Sequence, residues 1–261
     1  MFPAPRICSS SGNLWNARHF TVQSDKETAM DRTQFSSALI VGAGSGLSAS
    51  LARLFKQHGM KIALAARNIA KLKPLQDGTG AAAFTCDATD RLQVQTLFEE
   101  ASAKNGEPDV VVYNAGGHLR GPLIDLDPAA VERLLSVAFG GFLVAQEAAK
   151  RMLPKGRGAI LFTGASASIK GYAQSAPFAM GKFALRGLAQ SMARELSPQG
   201  IHVAHFVIDG GIASPSRQAP ADKLDSMLDP DAIAASYLHV LMQPRSAWTW
   251  EVELRPWVER F

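Results

Sequence analysis

Three groups of residues have types and spacings suited to chemistry. In Gly42-Ala-Gly-Ser-Gly46-Leu47-Ser48, three glycines stand two apart, directly after the apolar run Ala38–Val41. A helical pattern follows at once, with Leu47, Leu51, Leu54 and Phe55 on one face. A strand, a turn and a helix in that order gather backbone N–H groups and the positive end of a helix at one point, which suits a pyrophosphate. Glycine is needed there because a side chain would block the phosphate or force an unfavourable φ. The second group is Ala65-Ala-Arg67-Asn68, at the end of the next apolar run. A free ribose 2′-hydroxyl calls for a carboxylate at such a strand end, whereas Arg67 offers a cation to a 2′-phosphate. The third is Phe178-Ala-Met-Gly-Lys182, a ring and a cation one helical turn apart, beside Phe183, Leu185 and Leu188. Those apolar neighbours place Lys182 on a mostly buried helix face.

Together the first two groups read as a dinucleotide site that prefers NADP(H) to NAD(H). Other readings stand beside them: Arg67 could merely open a surface helix, and Lys182 could be an exposed lysine on an amphipathic helix. Asp87, after the third strand, could accept a hydrogen bond from an adenine amino group or cap the helix that starts near Thr89. Asn114-Ala115-Gly116-Gly117 ends the fourth strand with small residues, against which a flat ligand could lie, or forms an ordinary turn.

Alternating elements must position these groups. Strand-like runs occur at 38–41, 61–65, 82–86, 110–114, 159–163, 202–208 and 248–254, with helical patterns near 46–58, 68–75, 90–105, 128–153, 178–198 and 230–243. The strands are mostly continuous apolar runs and not alternating ones, as expected of a parallel sheet buried on both faces. The order predicts an α/β fold, a single doubly wound parallel sheet with helices on both faces and ligands at the carboxyl ends of its strands.

Composition narrows the function further. The chain has 261 residues, 47% apolar, enough for one sizeable domain. Its net charge of +4 is dispersed, with no basic run or basic–aromatic stripe, which argues against a nucleic-acid partner. Two cysteines, Cys8 and Cys86, form no disulfide framework, and the six histidines have no metal-ligand spacing. A reducing, cytoplasmic setting, no metal and no membrane are expected; no uninterrupted run approaches about 18 apolar residues. Residues 1–24 carry arginines and serines and no acid before Asp25. Residues 1–29 are read as a poorly structured extension, a transit-like segment or the product of an upstream start, with Met30 the natural start in the second case. Residues 30–261 form the folded domain.

These pieces resemble the short-chain dehydrogenase/reductases over about residues 36–255. Gly42-Ala-Gly-Ser-Gly46-Leu-Ser48 is similar to that family's cofactor loop, with Ser48 where a last glycine is usual. Tyr113-Asn114-Ala115-Gly116 resembles its Asn-Asn-Ala-Gly strand end, and Asp209-Gly-Gly-Ile212-Ala-Ser214 its Pro-Gly turn after the sixth strand. The resemblance implies a Rossmann-type oxidoreductase. Gly42, Ser45, Gly46 and Leu47 would hold the pyrophosphate, Arg67 the 2′-phosphate, Asp87 the adenine, and Asn114, Ala115 and Gly116 the adjoining ribose. Lys182 would hold the nicotinamide ribose, and Ile212 with Ser214 its amide. The implied reaction moves hydride to or from a carbonyl or alcohol carbon. A tyrosine protonates the oxygen, a lysine four residues later lowers the tyrosine's pKa, a serine fixes the substrate oxygen, and an asparagine supports a proton-feeding water.

Several of those reaction positions differ here. Phe178 stands for the tyrosine, Ala165 for the serine with Ser166 adjacent, and Ala138 for the asparagine; Lys182 alone is kept. Losing a general acid costs roughly 10²–10⁴ in rate. The expected function is therefore hydride transfer at an atypical site, with Lys182, Ser166 and Phe178 at its centre. Its small-molecule substrate would be a carbonyl, an alcohol or an activated alkene. The alternative is an NADP(H)-binding sensor or scaffold without turnover. Tyr172 and His118 could replace the missing acid, while His202 and His205 read as structural or surface residues and His19, His58 and His239 carry no supporting context. The tryptophans of 248–257 suit a core or a subunit contact. The helices near 128–153 and 178–198 pack between subunits in similar proteins, so a homodimer or homotetramer is expected.

Overall fold

The structure is a computed structural model and describes residues 35–214 and 217–259. The reading of residues 1–29 lies outside the described residues. Seven strands form one parallel sheet: β1 (Ser37–Val41), β2 (Lys61–Ala66), β3 (Ala82–Thr85), β4 (Val110–Tyr113), β5 (Gly158–Thr163), β6 (Ile201–Ile208) and β7 (Glu251–Leu254). They lie in the order β3-β2-β1-β4-β5-β6-β7. The chain winds outward from β1 to one edge, then returns to β4 and winds to the other. The crevice between β1 and β4 is the switch point where ligands of doubly wound sheets bind.

Six α-helices cover the sheet: α1 (Leu47–Gln57), α2 (Lys73–Thr79), α3 (Arg91–Asn105), α4 (Pro128–Met152), α5 (Ala176–Leu196) and α6 (Pro230–Leu241). Alternation along each strand feeds two cores. Ala38 and Ile40 of β1 and Val110 and Val112 of β4 meet Leu51 and Phe55 of α1 and Ile233 and Tyr237 of α6. Leu39, Val41, Val111 and Tyr113 face Phe98 of α3, Val144 of α4 and Leu185 of α5. Burial on both faces explains why the central strands read as unbroken apolar runs, whereas the edge strand β7, Glu251-Val-Glu-Leu254, is half-buried and alternates.

The sequence expectation for 68–75 merges two pieces, a 3₁₀ turn at Ala70–Leu72 and α2, because Pro74 starts a fresh helix at its first turn. The last strand is shorter than its apolar run, 251–254, and Trp248 instead stacks on His202 with centroids 4.5 Å apart. His202 and His205 are both buried, so the surface alternative falls away. One stretch among the described residues, Pro128–Lys155, is long and apolar enough by composition to cross a membrane. Charges such as Glu132, Arg133 and Glu147 interrupt its apolar run, and the helix packs against α3 and α5.

Candidate functional site

The glycine turn lies at the switch point. Gly42 has φ +84°, and a Cβ on it would stand 2.3 Å from the Ala115 nitrogen at the end of β4. Only glycine lets these two strand ends approach so closely. The Gly42 and Ala43 amides both donate to the Ala65 carbonyl, at 3.0 and 2.9 Å, pinning the turn to β2. Ser48, at the family's last-glycine position, donates to the Gly42 carbonyl, and Asn114 Nδ2 donates to Ser48 Oγ at 2.7 Å. The Asn114 side chain thus braces the turn from β4, a role its place in the motif did not reveal. Gly46 starts α1 without any side-chain cap, and Gly44 and Gly46 face open space. Uncapped helix N–H groups beside a glycine cradle without side chains fit a pyrophosphate. Leu47 is buried, leaving only its backbone for the turn, and Ser45 is exposed. Ile212 and Ser214 form the opposite wall of the same depression.

An open cleft of about 1300 Å³ runs from this turn toward β3. Arg67, Asn68 and Lys71 stand in it together, as do Asp87, Ala115 and Gly116. Lys71 and Arg133, which also line it, were not singled out from the sequence; strand-end reasoning does not reach residues on neighbouring turns and helices. The cap reading of Asp87 is corrected. Asp90 caps α3, its Oδ1 accepting from Leu92 and Gln93 at 2.8 and 3.1 Å. Asp87 accepts instead from the Thr89 amide and hydroxyl at 3.0 and 2.8 Å, which fixes its carboxylate at the cleft wall.

Across the sheet end from the cleft is a small apolar hollow of about 250 Å³ between α4 and α5. Ala138, Gly181, Phe178 and Lys182 line it. Lys182 is 9% exposed, and its Nζ donates to the Thr163 carbonyl at 2.9 Å. With no carboxylate bonded to it, burial alone pulls its pKa down to about 8. The same Nζ lies 5.9 Å from the Phe178 ring centroid. On Phe178 the His118 ring packs edge-on, with centroids 4.8 Å apart. Ser166 opens the 3₁₀ turn Ser166–Ser168, half-buried, and its hydroxyl makes no hydrogen bond among the described residues. Ser168, not Ser166, receives the Ala165 amide at 3.1 Å. Tyr172 is exposed, with Lys170 Nζ 5.8 Å over its ring. Its bond to Lys170 holds that ammonium's pKa above the usual lysine value. Lys170 also lies 3.5 Å from the buried Asp209, which stands 3.5 Å from Arg255. Among the described residues no group of three or more histidine, cysteine or acidic side chains is placed to hold a metal.

The family model for short chain dehydrogenases matches residues 36–224. This chain belongs to the short-chain dehydrogenase/reductase family. It is 37% identical to (+)-borneol dehydrogenase 1 of Salvia officinalis over 187 residues, 68% of this chain and 71% of that one. A short-chain dehydrogenase from Rhodopseudomonas palustris superposes with a TM-score of 0.74 at 34% identity, covering 85% of this chain and 99% of that one. A metagenomic short-chain oxidoreductase in complex with NADP gives a TM-score of 0.74 at 25% identity, over 86% and 98%. The match of fold and strand order makes this dehydrogenase an α/β protein of Rossmann type, as its motifs implied.

Two features of this short-chain dehydrogenase lay outside the motif search. Gly140 and Gly141 sit inside α4, where glycine weakens a helix. A Cβ on Gly140 would stand 2.9 Å from the Tyr113 hydroxyl, and one on Gly141 3.2 Å from its ring. Tyr113 takes that space and donates its hydroxyl hydrogen to the Val137 carbonyl, joining β4 to the helix beside the hollow. Behind Lys182, His205 Nδ1 is 3.0 Å from Glu251, which also accepts from Arg186 at 2.7 and 2.8 Å. Burial drives the His205 pKa down to about 4, so this contact is a hydrogen bond from a neutral ring and not an ion pair.

Proposed function

We propose that this chain is an NADP(H)-dependent oxidoreductase acting on a small, largely apolar carbonyl, alcohol or activated alkene, through an active site whose hydroxyl donor is replaced by Phe178. The single observation behind it is the pairing of an uncapped glycine turn with a cationic cleft end at one side and a buried lysine at the other. The turn amides would bind the pyrophosphate. Arg67, with Lys71 beside it, would bind the 2′-phosphate by charge. Asp87 would accept from the adenine amino group, and Asn114, braced on Ser48, would keep the Ala115–Gly116 backbone flat against the ligand. Lys182 would donate to the nicotinamide ribose, and Ile212 with Ser214 would hold the amide. The dinucleotide, once bound, supplies or accepts the hydride. Phe178, Ala138 and Gly181 exclude water from that end of the site, so any charge on the substrate oxygen must be met by a donor. The alcohol named in the Salvia relative, borneol, is a fitting first probe because it is apolar and compact.

The test is direct. NADPH binding is read by fluorescence, and turnover by absorbance loss with ketones, aldehydes and enones, or gain with borneol and NADP. Tight binding and turnover support the reading. Turnover of ordinary ketones that survives in a Lys182→Ala variant overturns the altered site. The joint absence of the tyrosine hydroxyl and the asparagine at Phe178 and Ala138 favours a second reading, a sensor or scaffold that binds NADP(H) without turnover. That outcome would appear as tight binding with no reaction across the panel, and a Phe178→Tyr variant gaining ketone reduction would then show the rest of the site to be competent. The exposed Phe139 and Phe142 of α4 and Met180 and Phe183 of α5 support a homodimer or homotetramer formed through these two helices.

A further inference from the structure

We propose that His118 is the proton donor of this site, in place of the aromatic hydroxyl that Phe178 lacks. The proposal rests on the hydride-transfer reading given above. Two titratable groups lie against the Phe178 ring among the described residues, Lys182 on one side and His118 edge-on at 4.8 Å. Lys182 is spoken for: it is buried and bonded to Thr163, and the exchange of its proton with water is obstructed by apolar walls. His118 is exposed, so its ring can take a proton from water after each turnover. The other candidates are held elsewhere. Tyr172 sits under the Lys170 ammonium, 5.8 Å from its ring centroid and away from the Phe178 ring contacts, and a serine hydroxyl such as that of Ser166 is too weak an acid to donate near neutral pH unaided.

The loop that carries His118 is built to hold it there. Arg120 Nε donates to Ser175 Oγ at 3.1 Å, and the Gly121 amide donates to the Gln174 carbonyl at 3.0 Å. Both bonds tie the segment after β4 to the residues immediately before α5, which carries Phe178. Gln174 itself has φ +60°, a left-handed backbone that a non-glycine residue adopts at a cost. Strain of this kind persists where the surroundings over-determine a conformation, and here it fixes the approach of two loops that set the His118–Phe178 contact.

The step balances simply. The carbonyl carbon gains hydride with its electron pair from the reduced dinucleotide, which is oxidised. The C=O π pair becomes a lone pair on oxygen, and that oxygen takes the proton from the His118 imidazolium. The neutral ring left behind recovers a proton from water.

The experiment uses the full chain with His118→Gln and His118→Phe variants and a ketone that the wild type reduces. Expected is a loss of kcat of at least about 100-fold with NADPH affinity unchanged within about twofold. Adding Phe178→Tyr to His118→Gln should restore most of the loss, because a hydroxyl returns to the ring. A readout free of turnover is carbethoxylation of His118 by diethyl pyrocarbonate, followed by mass spectrometry. NADP plus the ketone should protect His118 from it. An active enzyme indifferent to His118→Gln, or a His118 that NADP and ketone leave unprotected, overturns the proposal alone. A wild type that binds NADPH tightly yet turns over no substrate removes the hydride-transfer reading and the proposal with it.

Discussion

Lys182 carries a charge into a place that does not favour it. Its ammonium is satisfied by one neutral carbonyl and surrounded by apolar groups, so the folded chain holds it at a pKa of about 8 against an ordinary value of 10.5. The linkage has a definite sign. Below pH 8 the lysine is charged in both states and the burial cost is fully present. Between pH 8 and 10.5 the unfolded chain binds the extra proton, so stability climbs as pH rises. At 1.36 kcal/mol per unit, the difference is about 3 kcal/mol, offset in a variant by roughly 1 kcal/mol for the lost hydrogen bond. Lys182→Met should therefore raise the melting temperature of the ligand-free protein at pH 7, flatten its rise toward pH 10, and weaken NADPH binding; a lowered melting temperature at pH 7 would contradict this account. A residue that costs stability in the empty protein fits a role in binding rather than in packing.

At the scale of the elements, α4 shows the same exchange between stability and site geometry. Gly140 and Gly141 interrupt a helix of good formers so that Tyr113 can fill the space beneath it. Gly140→Ala should help the isolated helix, yet its methyl would meet the Ala88 carbonyl at 2.6 Å and the Tyr113 hydroxyl at 2.9 Å. The collision should win, with a loss of about 1–3 kcal/mol in denaturant unfolding; a gain in stability would mean that α4 moves freely over β4. Much of the frame was legible beforehand. Every strand and most helices followed from period and from continuous apolar runs, because a sheet dry on both faces leaves that mark. The glycine turn was legible because it stands at the boundary between a strand pattern and a helix pattern, and the burial of Lys182 because Leu185 and Leu188 mark the inward face of α5. Asp87 and Asp90 were not distinguishable by spacing: both are acids near a helix start, and only the hydrogen bonds separate a wall residue from a cap. The contact of His118 with Phe178 joins residues sixty apart in sequence, and no local pattern encodes it.

For the whole molecule, the outer face of α4 and α5 is where assembly can be tested. Phe139 is 56% exposed and stacks on Phe142 with centroids 5.8 Å apart, and Met180 and Phe183 of α5 are exposed as well. Under the proposed assembly, this face would be buried against a copy of the chain. Replacing Phe139 and Phe142 together by Asp should yield monomers in sedimentation analysis while far-UV circular dichroism stays unchanged; wild-type protein already monomeric at micromolar concentration would refute the assembly.

At the other end of the molecule, Trp257 is 82% exposed, and its indole nitrogen donates to Asp225 at 3.4 Å. Asp225 belongs to the segment between β6 and α6, whose start at Ile212 and Ser214 borders the glycine turn. The chain thus comes with its own optical reporter. Occupation of the glycine turn should change the emission intensity of this indole, and a Trp257→Phe protein should lose that part of the signal while binding as before. Binding could then be timed by stopped-flow without attaching any dye.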